Sequence, residues 1–169
     1  YNPGTIPIKQ PVVNIILMNG DGAQIAVLQC FSPRHVEPGE TVPFSGIRIG
    51  APAYHTFEVE YTPEPEEFFT HRINFASSGE VFAAKKGFSG GWDLSGTLTN
   101  QNDVPVRLAQ IIVMLFDAKG TYIGFANGFM TAKRLAPGKT SPYTVLILPY
   151  NLAGKPTSYR LIFSALEDR

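Results

Sequence analysis

The residues in this 169-residue chain whose types could do chemistry are three histidines, one cysteine and a scatter of loop carboxylates. A zinc site needs four nitrogen, sulfur or carboxylate ligands closing on one ion. His35, His55 and His71 each stand singly, in a turn, a strand approach and a strand start, and no two share a strand face with a carboxylate. A metal site would therefore have to be assembled across domains. Cys30 is alone, which excludes an intramolecular disulfide and reads as a small buried thiol. No G-x-S-x-G elbow occurs and no histidine stands beside the cysteine, so no nucleophile comes with its base. The run KKGFSGGW (85–92) resembles a phosphate loop in glycine content only. No Lys-Ser or Lys-Thr follows it and no helix is expected to receive it, so it reads as a flexible β connection.

Asp93, Asp103 and Asp117 supply oxygen on loops, the ligand type that calcium takes at one end of a sandwich. The commoner role of an aspartate at a turn is to bond its own backbone. Glu64, Glu66 and Glu67 form a small acidic cluster that reads as a solvated linker. Tyr54, Phe68, Phe69, Tyr122 and Tyr150 are candidates for a carbohydrate platform, with core and interdomain packing as the competing role in a chain with one tryptophan. These residue types assign no catalytic, cofactor-binding or metal-binding site, and the expectation is a protein without cofactor that is not an enzyme.

The elements that must position these residues follow from composition. Hydrophobic residues make up 44% of the chain, enough for a core and too many for disorder. Fourteen basic and fourteen acidic residues cancel, and no basic block exceeds the pair Lys85 and Lys86, which excludes the footprint of a nucleic-acid partner. Sixteen glycines and fourteen prolines among β-branched and aromatic residues punctuate many short strands, so the class is all-β with little or no helix. No apolar run reaches the roughly 18 residues of a membrane-spanning helix, and no charged segment followed by an apolar one opens the chain. It opens at Tyr1 rather than at Met, which reads as a piece cut from something longer.

The chain reads as two copies of one plan. At a constant offset of 98, residues 1–25 lie beneath 99–123, matching Asn2 with Asn100, Pro7 with Pro105, Leu17 with Leu115 and Gly22 with Gly120. After one extra residue, HVEPGETVPF (35–44) lies beneath RLAPGKTSPY (134–143), and FEVEY (57–61) pairs with YRLIF (159–163). Two tandem antiparallel β-sandwich domains result, 1–62 and 68–169, joined by the proline- and glutamate-rich stretch 63–67 as a solvated linker. Alternation places Arg107, Ala109, Ile111, Val113 and Leu115 on the core face of one strand, with Val13, Ile15 and Leu17 as their equivalents. The runs FFTHRINF (68–75) and EVFAA (80–84) read as two short strands around ASSG. Because WDLSGTLT (92–99) precedes Asn100 while almost nothing precedes Asn2, the first copy lacks an internal strand. That gap calls for one of three remedies: segment 68–84 folding back, a strand from a second chain as in strand exchange or a dimer, or residues upstream of Tyr1.

The order of Gly96, Leu98 and Asn100, then Val113, Leu115, Phe116 and Asp117, then Gly120, Pro137 and Gly138 resembles the FxLYD-type bacterial domains, which are small immunoglobulin-like sandwiches. It covers about 75 residues of the second half; in the first copy Ile15, Leu17, Met18 and Asn19 stand where the signature sits. The resemblance implies tandem immunoglobulin-like domains in a secreted or surface-attached module of a bacterial envelope protein, of the lipoprotein kind. It implies an extracellular or cell-envelope location and no catalytic residue. The partner expected is a protein or cell-envelope component that the module spaces or binds; the alternative is a carbohydrate or small ligand.

Overall fold

The computed structural model describes residues 1–46, 50–66, 71–85 and 90–168, and within them the protein is all-β, its one helical feature the short 3-10 turn Pro149–Asn151. Every strand pairing is antiparallel, as short loops between strands demand. The chain divides into two compact units, Tyr1–Glu67 and Phe68–Arg169.

The first unit holds β1 (Val12–Met18), β2 (Gln24–Phe31) and β3 (Thr56–Tyr61), with β1 in the middle of the sheet. Val13, Ile15 and Leu17 point to one face of β1, level with Tyr61, Val59 and Phe57 on β3 and with Cys30, Leu28 and Ala26 on β2. Val13, Leu17, Ala26 and Cys30 are buried. Before β1, Ile8 bridges both Val36 and Pro65.

In the second unit β4 (His71–Arg72), β5 (Phe75–Ala84), β6 (Trp92–Asn100), β7 (Val106–Phe116), β8 (Tyr122–Phe129), β9 (Arg134–Leu135), β10 (Thr140–Ile147) and β11 (Ser158–Glu167) build two sheets. One runs β10-β6-β5 and the other β4-β11-β7-β8, with β9 on β7. Their facing residues, Leu94 and Leu98 from β6, Ile111, Val113 and Leu115 from β7, and Val145 and Ile147 from β10, are completely buried, which makes this unit a β-sandwich. Each such aliphatic side chain stabilises by about 1.5–3 kcal/mol when taken from water.

The sheet β2-β1-β3 of the first unit and the strands β8-β7-β11 of the second have one order and one register. Val13, Ile15 and Leu17 pair with Tyr61, Val59 and Phe57 as Ile111, Val113 and Leu115 pair with Phe163, Leu161 and Tyr159. A register shift falls after Leu17 in one hairpin and after Leu115 in the other.

Three expectations are corrected. ASSG does not separate two strands, because β5 runs through it with a bulge between Ser78 and Val81, where Gly79 takes a φ of 65°. Arg107 is off the core face: Leu108 at φ 52° breaks the alternation, so Val106 points inward while Arg107 and Leu108 are exposed. The stretch 63–67 is no free linker over its described residues. Lys9 donates its backbone N–H to Glu64 (2.8 Å) and Glu66 donates to Pro7 (3.0 Å), just as Asp168 donates to Pro105 (2.9 Å). Pro65 sits opposite Ile8 between those bonds, in an isolated bridge position that needs no N–H, so the proline fits without losing a bond.

Candidate functional site

Each residue that carries the sequence resemblance has a structural task. Asn100, fully buried at the end of β6, donates its amide to the carbonyls of Val104 (3.0 Å) and Leu135 (2.9 Å) and accepts from the backbone N–H of Asn102 (3.0 Å). Its own backbone bonds Lys139 and Gly138. Asn2 does the same with Ile6, Val36, Gly4, Glu40 and Gly39 at 2.9–3.1 Å. Gly96 leaves room for Tyr143, since a Cβ there would collide with the phenol ring. Asp117 accepts the N–H groups of Lys119 (2.8 Å) and Thr121 (2.9 Å), and Asn19 accepts those of Asp21 and Ala23. A neutral amide doing the work of Asp117 in the other unit marks that carboxylate as a turn residue.

The remaining candidates are not brought together. Among the described residues no three of His, Cys, Asp and Glu could hold a metal ion. Asp103 and Asp117 lie beyond opposite ends of β7, about 36 Å of strand apart. Asp93 stands 3.7 Å from Lys85 in an ion pair. His35 is buried with Nε2 2.8 Å from Glu37, His55 is exposed beside β3, and His71 pairs with Leu166 in β4. Beside His35 lies Arg34, which is buried, ion-paired to Glu40 and bonded to the His35 carbonyl (3.2 Å); burial pulls its pKa down against the attraction of Glu40. Burial pushes the Cys30 thiol up, so it is held as the inert neutral form. Of the glycine-rich run, Gly91 accepts from Lys85 (2.9 Å) and closes the β5–β6 hairpin, while residues 86–89 lie outside the described set. Glu64 is ion-paired to Lys9 (3.0 Å) beside a shallow groove of about 350 Å³ whose walls include Gln10, Asn14 and Glu60. Glu67, Phe68 and Phe69 are outside the described residues. Tyr54 and Tyr150 are exposed in different units, and Tyr122 packs on Phe116 with ring centres 6.0 Å apart.

What alternation alone did not single out is the face of β3. Phe57, Val59 and Tyr61 are 54%, 54% and 40% exposed, in a row on one side of the sheet. Their counterparts are covered by β5. Phe82 packs on Tyr159 (5.6 Å between ring centres) and Phe75 on Phe163 (6.1 Å). Likewise Tyr143 is 1% exposed beneath β6, whereas Phe44, at the matching position, is 43% exposed. The described part of the first unit holds one three-stranded sheet and no hairpin over this face. The signal was in the alignment, where WDLSGTLT and the run before it have no partner in the first half.

No helix among the described residues is long and apolar enough to cross a membrane. Comparison with protein-family models, with curated proteins and with solved structures finds no match to this chain.

Proposed function

We propose that this chain is a non-enzymatic binding module, two copies of one immunoglobulin-like plan of the FxLYD type. It serves as a spacer or protein-binding unit of a secreted or surface-attached bacterial envelope protein. The observation that carries the reading is the exposed row Phe57, Val59 and Tyr61. Soluble proteins keep contiguous apolar patches small unless something docks there. The shared registers and the twin buried asparagines support the reading of two copies, and the residue resemblance supports the location. A photo-reactive residue at position 59 should crosslink to a protein in native cells, while the same group at Lys119, on an exposed turn, should not; equal labelling at both sites would defeat the reading.

One observation favours a carbohydrate or small-ligand module as second reading. Phe57 and Tyr61 lie on one strand face about 13 Å apart, a spacing that stacked sugar rings can span. Titration with soluble oligosaccharides separates the two, since saturable binding lost on Phe57→Ala would favour the sugar.

A further inference from the structure

We infer that Asn19 and Gly20 form a self-modifying site. In the folded protein the Gly20 nitrogen displaces the amide of the Asn19 side chain, and water then opens the resulting ring to leave an aspartate or an isoaspartate at position 19. The substrate is the chain's own amide and the co-reactant is water. The inference stands apart from the reading of a binding module.

Two asparagines of the chain are followed by glycine, at 19 and at 127, and the fold puts them in opposite situations. Asn19 opens the exposed turn between β1 and β2, and its Oδ1 accepts the backbone N–H groups of Asp21 (3.0 Å) and Ala23 (2.9 Å). Two donors on one carbonyl oxygen draw electrons from Cγ. They also stand ready to hold the negative charge that the oxygen takes up under attack, as the donors of an oxyanion hole do. Among the described residues neither the Asn19 Nδ2 nor the Gly20 N–H donates a hydrogen bond, so leaving group and nucleophile are both untied. The space where a Gly20 Cβ would stand is empty, so nothing crowds the approach. Asn127 lies inside β8, with Gly128 opposite Ile111. Met130 donates to Ala109 (2.9 Å), and bonded pairs alternate along an antiparallel ladder, so Gly128 and Ile111 exchange both backbone bonds and the Gly128 nitrogen is held. Gly22 is held as well, since its N–H donates to the Asn19 carbonyl (3.2 Å), which keeps Asp21 out of the same reaction.

Hydroxide takes the Gly20 amide proton, the N–Cγ bond forms, and the Cγ–Nδ2 bond breaks as a proton from water reaches Nδ2, releasing ammonia and leaving a cyclic imide. Water added at Cγ restores the main chain with an aspartate, and water added at the Asn19 backbone carbonyl leaves the β-linked isoaspartate. Nothing is oxidised or reduced. The aspartate suits the turn, because Asp117 at the equivalent position accepts Lys119 and Thr121 through the same two bonds.

The test incubates the full folded chain at mildly alkaline pH and follows both sites by peptide mapping with mass spectrometry. Asn19 is expected to gain the mass difference between an amide and a carboxyl at least about tenfold faster than Asn127, a ratio within what one oxyanion donor supplies. In urea the two rates should converge, since turn and ladder are then both gone. Gly20→Ala fills open space, so it should keep or slightly raise the thermal midpoint while the added methyl suppresses the reaction at Asn19. Equal rates at the two sites of the folded chain overturn the inference. So does a rate at Asn19 that rises on unfolding, which would make the turn a protector of the amide, and so do rates that differ as much in urea, which would mean that neighbouring sequence sets them. Conversion undiminished in Gly20→Ala overturns it too, because the route would then not pass through the Gly20 nitrogen.

Discussion

Asn100 is a polar residue in the driest part of its unit, and it is tolerable there because every donor and acceptor it has is matched. Asn100→Ala strands two carbonyls and one N–H, and should lower the stability of the second unit by about 2–4 kcal/mol in urea denaturation. An unchanged midpoint would mean that water replaces the amide at no cost. Tyr122 is the opposite case, since its buried hydroxyl has no partner and burial pushes its pKa up to about 12. The folded protein holds this proton more tightly than the unfolded chain, whose tyrosines titrate near 10. Its contribution is therefore intact below pH about 10 and is lost as pH rises through about 12. Tyr122→Phe should flatten that alkaline fall and cost nothing at neutral pH. Part of the slope should persist, because burial also raises Tyr143 and Tyr159.

Between strands, the same residue pattern has different worth in the two units. Leu115 is sealed between two sheets, so Leu115→Ala should cost about 2–5 kcal/mol. Val59 looks identical in an alternation pattern but faces outward into solvent, so Val59→Ala should stay within about 0.5 kcal/mol. Thermal unfolding of the two variants side by side checks the contrast. It also marks how far the chain could be read from its letters. Strand positions and the turns at Gly22 and Gly120 were legible, because alternation and turn chemistry are local. Alternation says which side of a sheet a residue takes and nothing about whether that side is covered; the alignment showed a strand without a counterpart in the first half, and the structure shows which residues, Phe57, Val59 and Tyr61, stand exposed there. The bulges at Leu108 and Gly79 were missed because one residue leaving the β region resets every later position. The prolines of 63–67 misled by composition, as the ladder asks for an N–H only at alternate residues.

For the molecule as a whole, the proposed two-copy plan can be used constructively. A chimaera with residues 71–98 joined directly ahead of Tyr1 places Leu98 before the counterpart of Thr99 and should lay a hairpin over the open face. The first unit's thermal midpoint should rise by about 5–10 °C. No rise would mean that the first sheet is complete as it stands. The pairing of β4 with β11 has a consequence of another kind. His71 meets Leu166 and Arg72 meets Ala165, with Arg72 ion-paired to Glu167 (2.6 Å), so the two ends of the second unit leave from the same end of one antiparallel ladder. A tension applied between those ends loads the rungs singly, peeling them like a zipper, where a ladder pulled from opposite ends would share the load across all rungs. Under such a pull the two rungs of β4 should give way before the sandwich behind them, which force spectroscopy would read as one short early extension at low force.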